Sequence, residues 1–411
     1  MTSSRLWFAF AVGSTVGLVA GCQSYDFEPV QPLAVSQTTQ PTRIVGRQFK
    51  PNLMFLIDKS GSMNFAANDT VAPCTQGCNQ TGQPVCAAGC KTRLGELKSA
   101  MGTFLSTRGD LAWMGMAIFP TAVAGSNGLL DACGATSSAD IRVQLAPNQA
   151  DLPSELIASA NAVNAQIQSL NVGGGTPTGD SLKFLGDYAP LADPDPKVLR
   201  EDFVVLLTDG LPNCNANNVN SCTGSSCRCT LVPASACVPT SYCTQGCLDK
   251  DNSAAQVTAL RKKNIRTIVI GFGADTASGD GPDTLNEMAE NGGFARTCKN
   301  GCGANNPCDT ATGLCTRKFY QASSAAELAI VLAEIGDGID TKGICTRALF
   351  ELPKDRSFLT VIVDGKHEAE SPTTWTYSAG VVTFTDALCD RIKQSTAAAP
   401  VHIEFRIVNA L

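Results

Sequence analysis

The 411-residue sequence is long enough for one large core and a second, smaller domain. Charged residues make up 17% of it and the formal net charge is −6, which excludes the basic footprint of a nucleic-acid-binding protein. The two histidines, His367 and His402, form no HExxH and follow no CxxC, which excludes histidine-based zinc chemistry and covalent haem.

In chain order, residues 1–21 read as a processing signal. Arg5 is a thin positive region, and Leu6 to Ala20 is an apolar run with small residues. The run ends in Val19-Ala20-Gly21-Cys22, which resembles the lipobox of bacterial lipoproteins. That resemblance implies cleavage before Cys22, acylation of its sulfur and amine and, with Gln rather than Asp at position 23, delivery to the outer membrane. Removing Cys22 from the 19 cysteines leaves 18, an even number that can pair completely. Export favours disulfides over metal for them, because an oxidising compartment keeps them formed. Four clusters share the spacing CxxGC: Cys74/Cys78, Cys86/Cys90, Cys243/Cys247 and Cys298/Cys302. Each has three intervening residues where a zinc ribbon has two.

Residues 22–49 read as a flexible tether, rich in Ser, Gln and Thr, with Pro29, Pro32 and Pro41 and no apolar periodicity. From Pro51 buried strands alternate with helices. Leu53 to Ile57 is a continuous apolar run, as a strand covered on both faces requires. Leu94 to Leu105 has helical spacing. Trp113 to Phe119 is the next strand, with Ile141 to Leu145 returning beside it. Ser154 to Leu170 is amphipathic, placing Leu156, Ile157, Ala160, Val163, Ile167 and Leu170 on one face. Phe203 to Leu207 and Ile265 to Ile270 are further strands, separated by a helix around Ala254 to Lys263. Phe319-Tyr320 is a short last strand, and Ser324-x-x-Glu327 is a capping box opening a final helix through Ile335. This alternation over residues 50–341 predicts an α/β fold with an open, mostly parallel, doubly wound sheet.

Residues 342–411 change texture. Ala348 to Leu352, Leu359 to Val363, Trp375 to Tyr377, Val381 to Thr385 and His402 to Val408 are short β-branched or aromatic runs, with turns at Asp364-Gly365 and Ala379-Gly380. They predict a small all-β domain stapled by Cys345 and Cys389. Three insertions, at 64–90, 212–250 and 298–317, are rich in Cys, Gly, Asn and Thr and too short for cores of their own.

The chemistry gathers at two strand ends and at a helix start beside them. Asp58-Lys59-Ser60-Gly61-Ser62 follows the first strand, Gly173 to Gly179 (GGGTPTG) precedes a helix, and Thr208-Asp209-Gly210 ends a third strand. Open α/β sheets place ligands at these carboxyl ends. Asp58, Ser60 and Ser62 can aim three oxygens at one point, Thr176 adds a hydroxyl and Asp209 a second carboxylate. Hard oxygens in this number suit Mg²⁺, with Mn²⁺ or Ca²⁺ as alternatives. Two carboxylates balance the ion's charge, and the hydroxyls leave it electrophilic towards an incoming acid.

In this order and spacing, DxSGS, GGTPTG and TDG resemble the metal-ion-dependent adhesion site of von Willebrand factor A and integrin I domains. The likeness covers roughly residues 50–341 without the insertions. It implies Asp58, Ser60, Ser62, Thr176 and Asp209 as the metal ligands and Thr178 as a helix N-cap. The insertions at 64–90 and 212–250 should crown the metal face, and 298–317 should lie at the opposite end. Near the metal they either shape a ligand rim or armour an extracellular surface.

Two functions follow. The first is a lipid-anchored, outer-membrane, cell-surface adhesin that captures an acidic group on an extracellular or substratum ligand through its metal. The second is an envelope scaffold that docks another envelope protein, its metal being structural. The Walker A, GxSxG and Cys–His signatures are all missing, so the expectation is a non-enzymatic protein.

Overall fold

The structure, a computed structural model, describes residues 35–44, 50–67, 89–121, 133–145, 152–192, 201–220, 227–231, 237, 243–298, 301–303, 305–342, 345–349, 352–378, 380–395 and 399–410. Cys22 with the signal segment, and Cys74, Cys78 and Cys86 of the first insertion, lie outside the described residues.

Within the expected tether, Val35–Ile44 forms a strand, β1. The α/β body then runs β2 (Asn52–Asp58), α1 (Arg93–Thr107), β3 (Trp113–Phe119), β4 (Ile141–Val143), α2 (Pro153–Gln168), α3 (Thr178–Gly186) and the single-turn α4 (Ala189–Ala192). It continues with β5 (Asp202–Thr208), α5 (Lys250–Lys262), β6 (Ile265–Phe272), α6 (Gly281–Asn291), the two-residue hairpin strands β7 (Cys308–Asp309) and β8 (Leu314–Cys315), β9 (Tyr320–Ala322) and α7 (Ala325–Lys342). One six-stranded sheet has the order β4-β3-β2-β5-β6-β9, parallel throughout except at the edge strand β4.

Burial on both faces explains why β2 and β5 are apolar at every position between their ends, and period-2 alternation divides those residues between two cores. Leu53, Phe55 and Ile57 of β2 enter one core with α1, α2 and α7, while Met54 and Leu56 enter a second core with α3, α5 and α6. Strand β5 divides the same way, with Phe203, Val205 and Leu207 on one side and Val204 and Leu206 on the other. On α2 the buried stripe is Leu156, Ala160, Val163 and Ile167. Ile157, expected on that face, is exposed, because it lies one residue and thus about 100° round from Leu156. At the start of α7, Ser324 Oγ accepts from Glu327 N, but the Glu327 carboxylate reaches back to Ser323 N and Oγ rather than Ser324. Glu96 of α1 supplies a further acceptor to Ala325 N at 2.6 Å, pinning α7 to α1.

The C-terminal domain comprises β10 (Thr346–Ala348), β11 (Leu359–Val363), β12 (Lys366–Glu368), β13 (Trp375–Ser378), β14 (Val381–Phe384), α8 (Asp386–Gln394) and β15 (Val401–Ala410). Its sheets run β1-β15-β11-β12 and β10-β14-β13, all antiparallel. Asp364 and Gly365, with φ of 48° and 79°, make the two-residue turn between β11 and β12.

Two expectations are corrected here. Residues 22–49 are not tether throughout, because β1 pairs with the last strand, β15, over ten residues. An edge strand needs only backbone pairing, so its polar sequence and Pro41 are compatible with it. The domain is also not all-β: α8 buries Leu388 and Ile392, one helical turn apart, against the domain core.

Cys345 and Cys389 are bonded across 44 residues and join α8 to the start of β10. A loop of that length is worth about 4 kcal/mol on chain-entropy grounds. We therefore expect Cys345→Ala/Cys389→Ala protein to lose about that much stability in denaturant unfolding of the C-terminal domain. An unchanged midpoint would mean that the core alone holds it. Every other described cysteine is disulfide-bonded too. Within two of the CxxGC clusters the partners do not bond to each other: Cys298 pairs with Cys308, Cys302 with Cys315, and Cys247 with Cys227 rather than Cys243.

The C-terminal domain docks on the amino ends of the parallel strands. Glu201, just before β5, accepts from Arg266 of β6 at 2.9 Å and from Arg347 of β10 at 3.0 Å. Arg266 also lies over the Phe203 ring, 4.4 Å from its centroid. Arg261, at the end of α5, donates to the Leu349 and Gly380 carbonyls. A Cβ on Gly380 would stand 1.8 Å from the Arg261 guanidinium, so this turn of the β domain admits only glycine.

Candidate metal centre

The carboxyl ends of the strands, at the other pole, bring the five candidate ligands together. Asp58 is the last residue of β2 and fully buried. Its Oδ1 accepts from Ser60 N at 2.8 Å, and its Oδ2 from Thr208 Oγ1 at 2.7 Å. The chain then turns into a single 3₁₀ turn, Gly61–Asn64, which brings Ser60 Oγ and Ser62 Oγ within 3.0 Å of each other. Ser62 Oγ donates to Asp209 Oδ1 at 2.9 Å. The glycine-rich loop closes on this turn through its backbone: Gly61 N donates to Gly174 O, and Gly173 N to Lys59 O. Gly174 has a φ of 93°, which explains a glycine there.

Thr176 completes the cradle. A Cβ added to Gly210 would lie 3.5 Å from Ser62 Oγ and 3.9 Å from Thr176 Oγ1, so a side chain at 210 would fill the space the hydroxyls face. Thr178, expected as an N-cap, is instead the first residue of α3, and Pro177 holds the cap position without a side-chain bond.

Two supporting residues, Arg93 and Asn213, escaped the sequence reading, as did the role of a third, Thr208. Arg93, at the start of α1 and 1% exposed, donates to Asp209 Oδ2 at 2.9 Å and to Asp275 Oδ2 at 2.9 Å. Asn213 holds Thr176 from both sides: its Oδ1 accepts from Thr176 N at 2.6 Å and its N donates to Thr176 O at 2.9 Å. Thr208 stood in the TDG sequence, and its hydroxyl fixes Asp58. Arg93 and Asn213 carry no local signal, because each acts on a residue more than thirty positions away.

The electrostatics follow from burial. Asp58 is pushed up to about 7 by desolvation and then by the Asp209 charge, against the hydrogen bonds of Ser60 and Thr208. Asp209 is also raised by desolvation, opposed chiefly by Arg93. Arg93 compensates Asp209; among the described residues no cation contacts Asp58. No group of three or more His, Cys, Asp or Glu able to hold a metal occurs among the described residues. The donors here are two carboxylates and three hydroxyls, a set that suits a hard, oxygen-seeking cation and offsets its charge.

The rim is stapled. Cys133, on the segment after β3, is bonded to Cys214 of the second insertion. Cys227–Cys247 and Cys229–Cys237 fasten that insertion on itself. The second insertion follows Thr208-Asp209-Gly210 and lies at this pole, whereas β7 and β8 of the third insertion precede β9 at the opposite end.

No family model matches the sequence, and no curated protein is similar to it. Some solved structures are similar to it at low identity. The pilus adhesin SpaC from Lactobacillus rhamnosus GG, in an open conformation, is 14% identical over 92% of this chain and 41% of that one, with a TM-score of 0.40. The PilB minor pilin from Streptococcus sanguinis is 20% identical over 71% of this chain and 62% of that one, at 0.39. The manganese-loaded Plasmodium vivax TRAP protein is 14% identical over 72% of this chain and 76% of that one, at 0.34. This chain spans under half of SpaC's length and 62% of PilB's. At this similarity the case for the site rests on its own geometry.

Proposed function

We propose that the protein is a von Willebrand factor A-like adhesin that binds one divalent cation, Mg²⁺ first, among Asp58, Ser60, Ser62, Thr176 and Asp209. The observation that carries this reading is the buried Asp58–Asp209 pair, facing hydroxyls around a space that a single Cβ at Gly210 would fill. The bound ion would offset the repulsion of the two carboxylates and, held by neutral hydroxyls, stay electrophilic enough to take a ligand carboxylate. The protein's part is to orient the oxygens: Thr208 fixes Asp58, Asn213 fixes Thr176, and Arg93 holds Asp209.

With the lipobox, cysteine-dense α/β domain and β-rich tail, the chain resembles the myxobacterial adventurous gliding motility lipoprotein CglB. The proposal extends to a lipid-anchored outer-membrane protein exposed at the cell surface, serving attachment to a substratum during gliding. No helix of the described residues is long and apolar enough to cross a membrane. In this reading acyl chains at Cys22 do the anchoring. Cys22→Ser protein should therefore leave the membrane fraction, and unchanged retention would point to another anchor. Asp58→Ala cells should fail to attach in Mg²⁺, as wild-type cells fail in EDTA. Normal attachment of Asp58→Ala cells without Mg²⁺ would favour the envelope-scaffold reading.

A further inference from the structure

A second feature opens at the same pole as the metal cradle. A cleft of about 470 Å³ lies between the amino ends of α3 and α5 and is roofed by the second insertion. Its volume is that of a small-molecule site (about 300–1,000 Å³). Its walls are mostly carboxylates and amides, among them Asp180, Asn215, Asn218, Asp249, Asn252 and Gln256.

The cleft is built rather than incidental. Asp249, 4% exposed, accepts from Asn215 Nδ2 at 2.7 Å and from Asn252 Nδ2 at 2.9 Å. Gln256 holds Asn252 Oδ1, and Asn218 Nδ2 holds the Leu248 carbonyl. Gly179 lets the two helices approach, since a Cβ there would stand 2.4 Å from Asn252 Nδ2. Asn213 and Asn215 flank Cys214, which is stapled to Cys133. One segment thus holds Thr176 with one asparagine and the cleft's buried carboxylate with the next but one.

Ligand chemistry follows from what the walls offer and withhold. The lining carries three carboxylates, Asp180, Asp249 and Asp251, and three cations, Lys183, Arg228 and Lys250. Arg228 and Lys250 are each already paired with a carboxylate, Asp280 and Glu287, which counts against capture of an anionic group. Fixed carboxylates and amides match a ligand that both donates and accepts many hydrogen bonds while neutral. Val219, 87% exposed at the rim, supplies an apolar contact that a polar loop does not otherwise need.

We infer that this cleft binds a neutral sugar unit, its hydroxyls on the Asp and Asn side chains and the C–H face of its ring against Val219. The site is independent of the cation and gives the protein a contact with a sugar beside the metal cradle.

The test uses the full-length protein in EDTA, with saturation-transfer difference NMR against glucose, galactose, mannose, lactose and cellobiose. At least one sugar should receive saturation, equally in Asp58→Ala protein. The signal should fall at least fivefold in Asp180→Ala/Val219→Ser protein, whose changes are at exposed positions. Failure of all five sugars, or an unchanged signal in the double variant, overturns the assignment, whatever the outcome of metal binding. Transfer to a glycine-rich peptide and to none of the sugars would overturn it equally.

Discussion

Asp58→Asn protein is expected to lose Mg²⁺ and Mn²⁺ binding by more than about 100-fold while remaining folded. Loss of an outer-shell partner alone costs about 10–100-fold in metal affinity, and Asp58 is a candidate ligand carrying one of only two negative charges. The fold should survive because the amide keeps an oxygen for Ser60 N or Thr208 Oγ1 and removes a buried charge. The pH dependence has a definite sign. In the metal-free protein Asp58 stands at about 7, against an ordinary value of 3.8. Its contribution to stability is thus fully present below about pH 4 and is lost as pH rises through about 7. The cation competes with that proton, so affinity should rise with pH towards 8 and binding should release close to one proton near pH 6. In Asp58→Asn protein both the slope and the proton release should vanish. Calorimetric titration in two buffers of different ionisation enthalpy reads the proton directly.

Glu201→Gln should be the most damaging single change away from the metal. Its carboxylate is the shared partner of Arg266 and Arg347, whose side chains are 8% and 18% exposed. Removing it leaves two guanidiniums close together at the domain joint. Breaking a buried pair from one side costs about 3–5 kcal/mol, and partial access of water to Glu201 places this case near 3. Urea unfolding should show that loss, and limited proteolysis should release the C-terminal domain. Wild-type stability with an intact protease pattern would mean that Arg261, with its bonds to Leu349 and Gly380, holds the joint alone.

The readable parts of this chain were those whose physics is local. Parallel strands buried on both faces are apolar through their centres, so Leu53 to Ile57, Phe203 to Leu207 and, past Arg266 and Thr267 at its start, Ile265 to Ile270 declared themselves. The candidate ligands were readable because a metal site at strand ends needs particular short residues in short loops. Arg93 and Asn213 were not, since the distance in sequence between each and its partner is set by the sheet's winding. Strand β1 was hidden for another reason. Its pairing with β15 uses backbone groups, which every residue except proline supplies, and a row of Ser, Gln and Thr looks the same in a tether. Helix α8 did leave a trace, in Thr385-Asp386 before Leu388 and Ile392, but its nine residues lie between two strand-like runs.

Diffraction from crystals of the full chain soaked in Mn²⁺, with anomalous differences collected at the manganese edge, tests the central claim most directly. The account predicts one strong peak at bonding distance from the Ser60, Ser62 and Thr176 hydroxyls, beside the Asp58 and Asp209 carboxylates, and no peak in Asp58→Asn crystals. An empty cradle in the wild-type protein at millimolar Mn²⁺, or a peak that persists in Asp58→Asn, would contradict it.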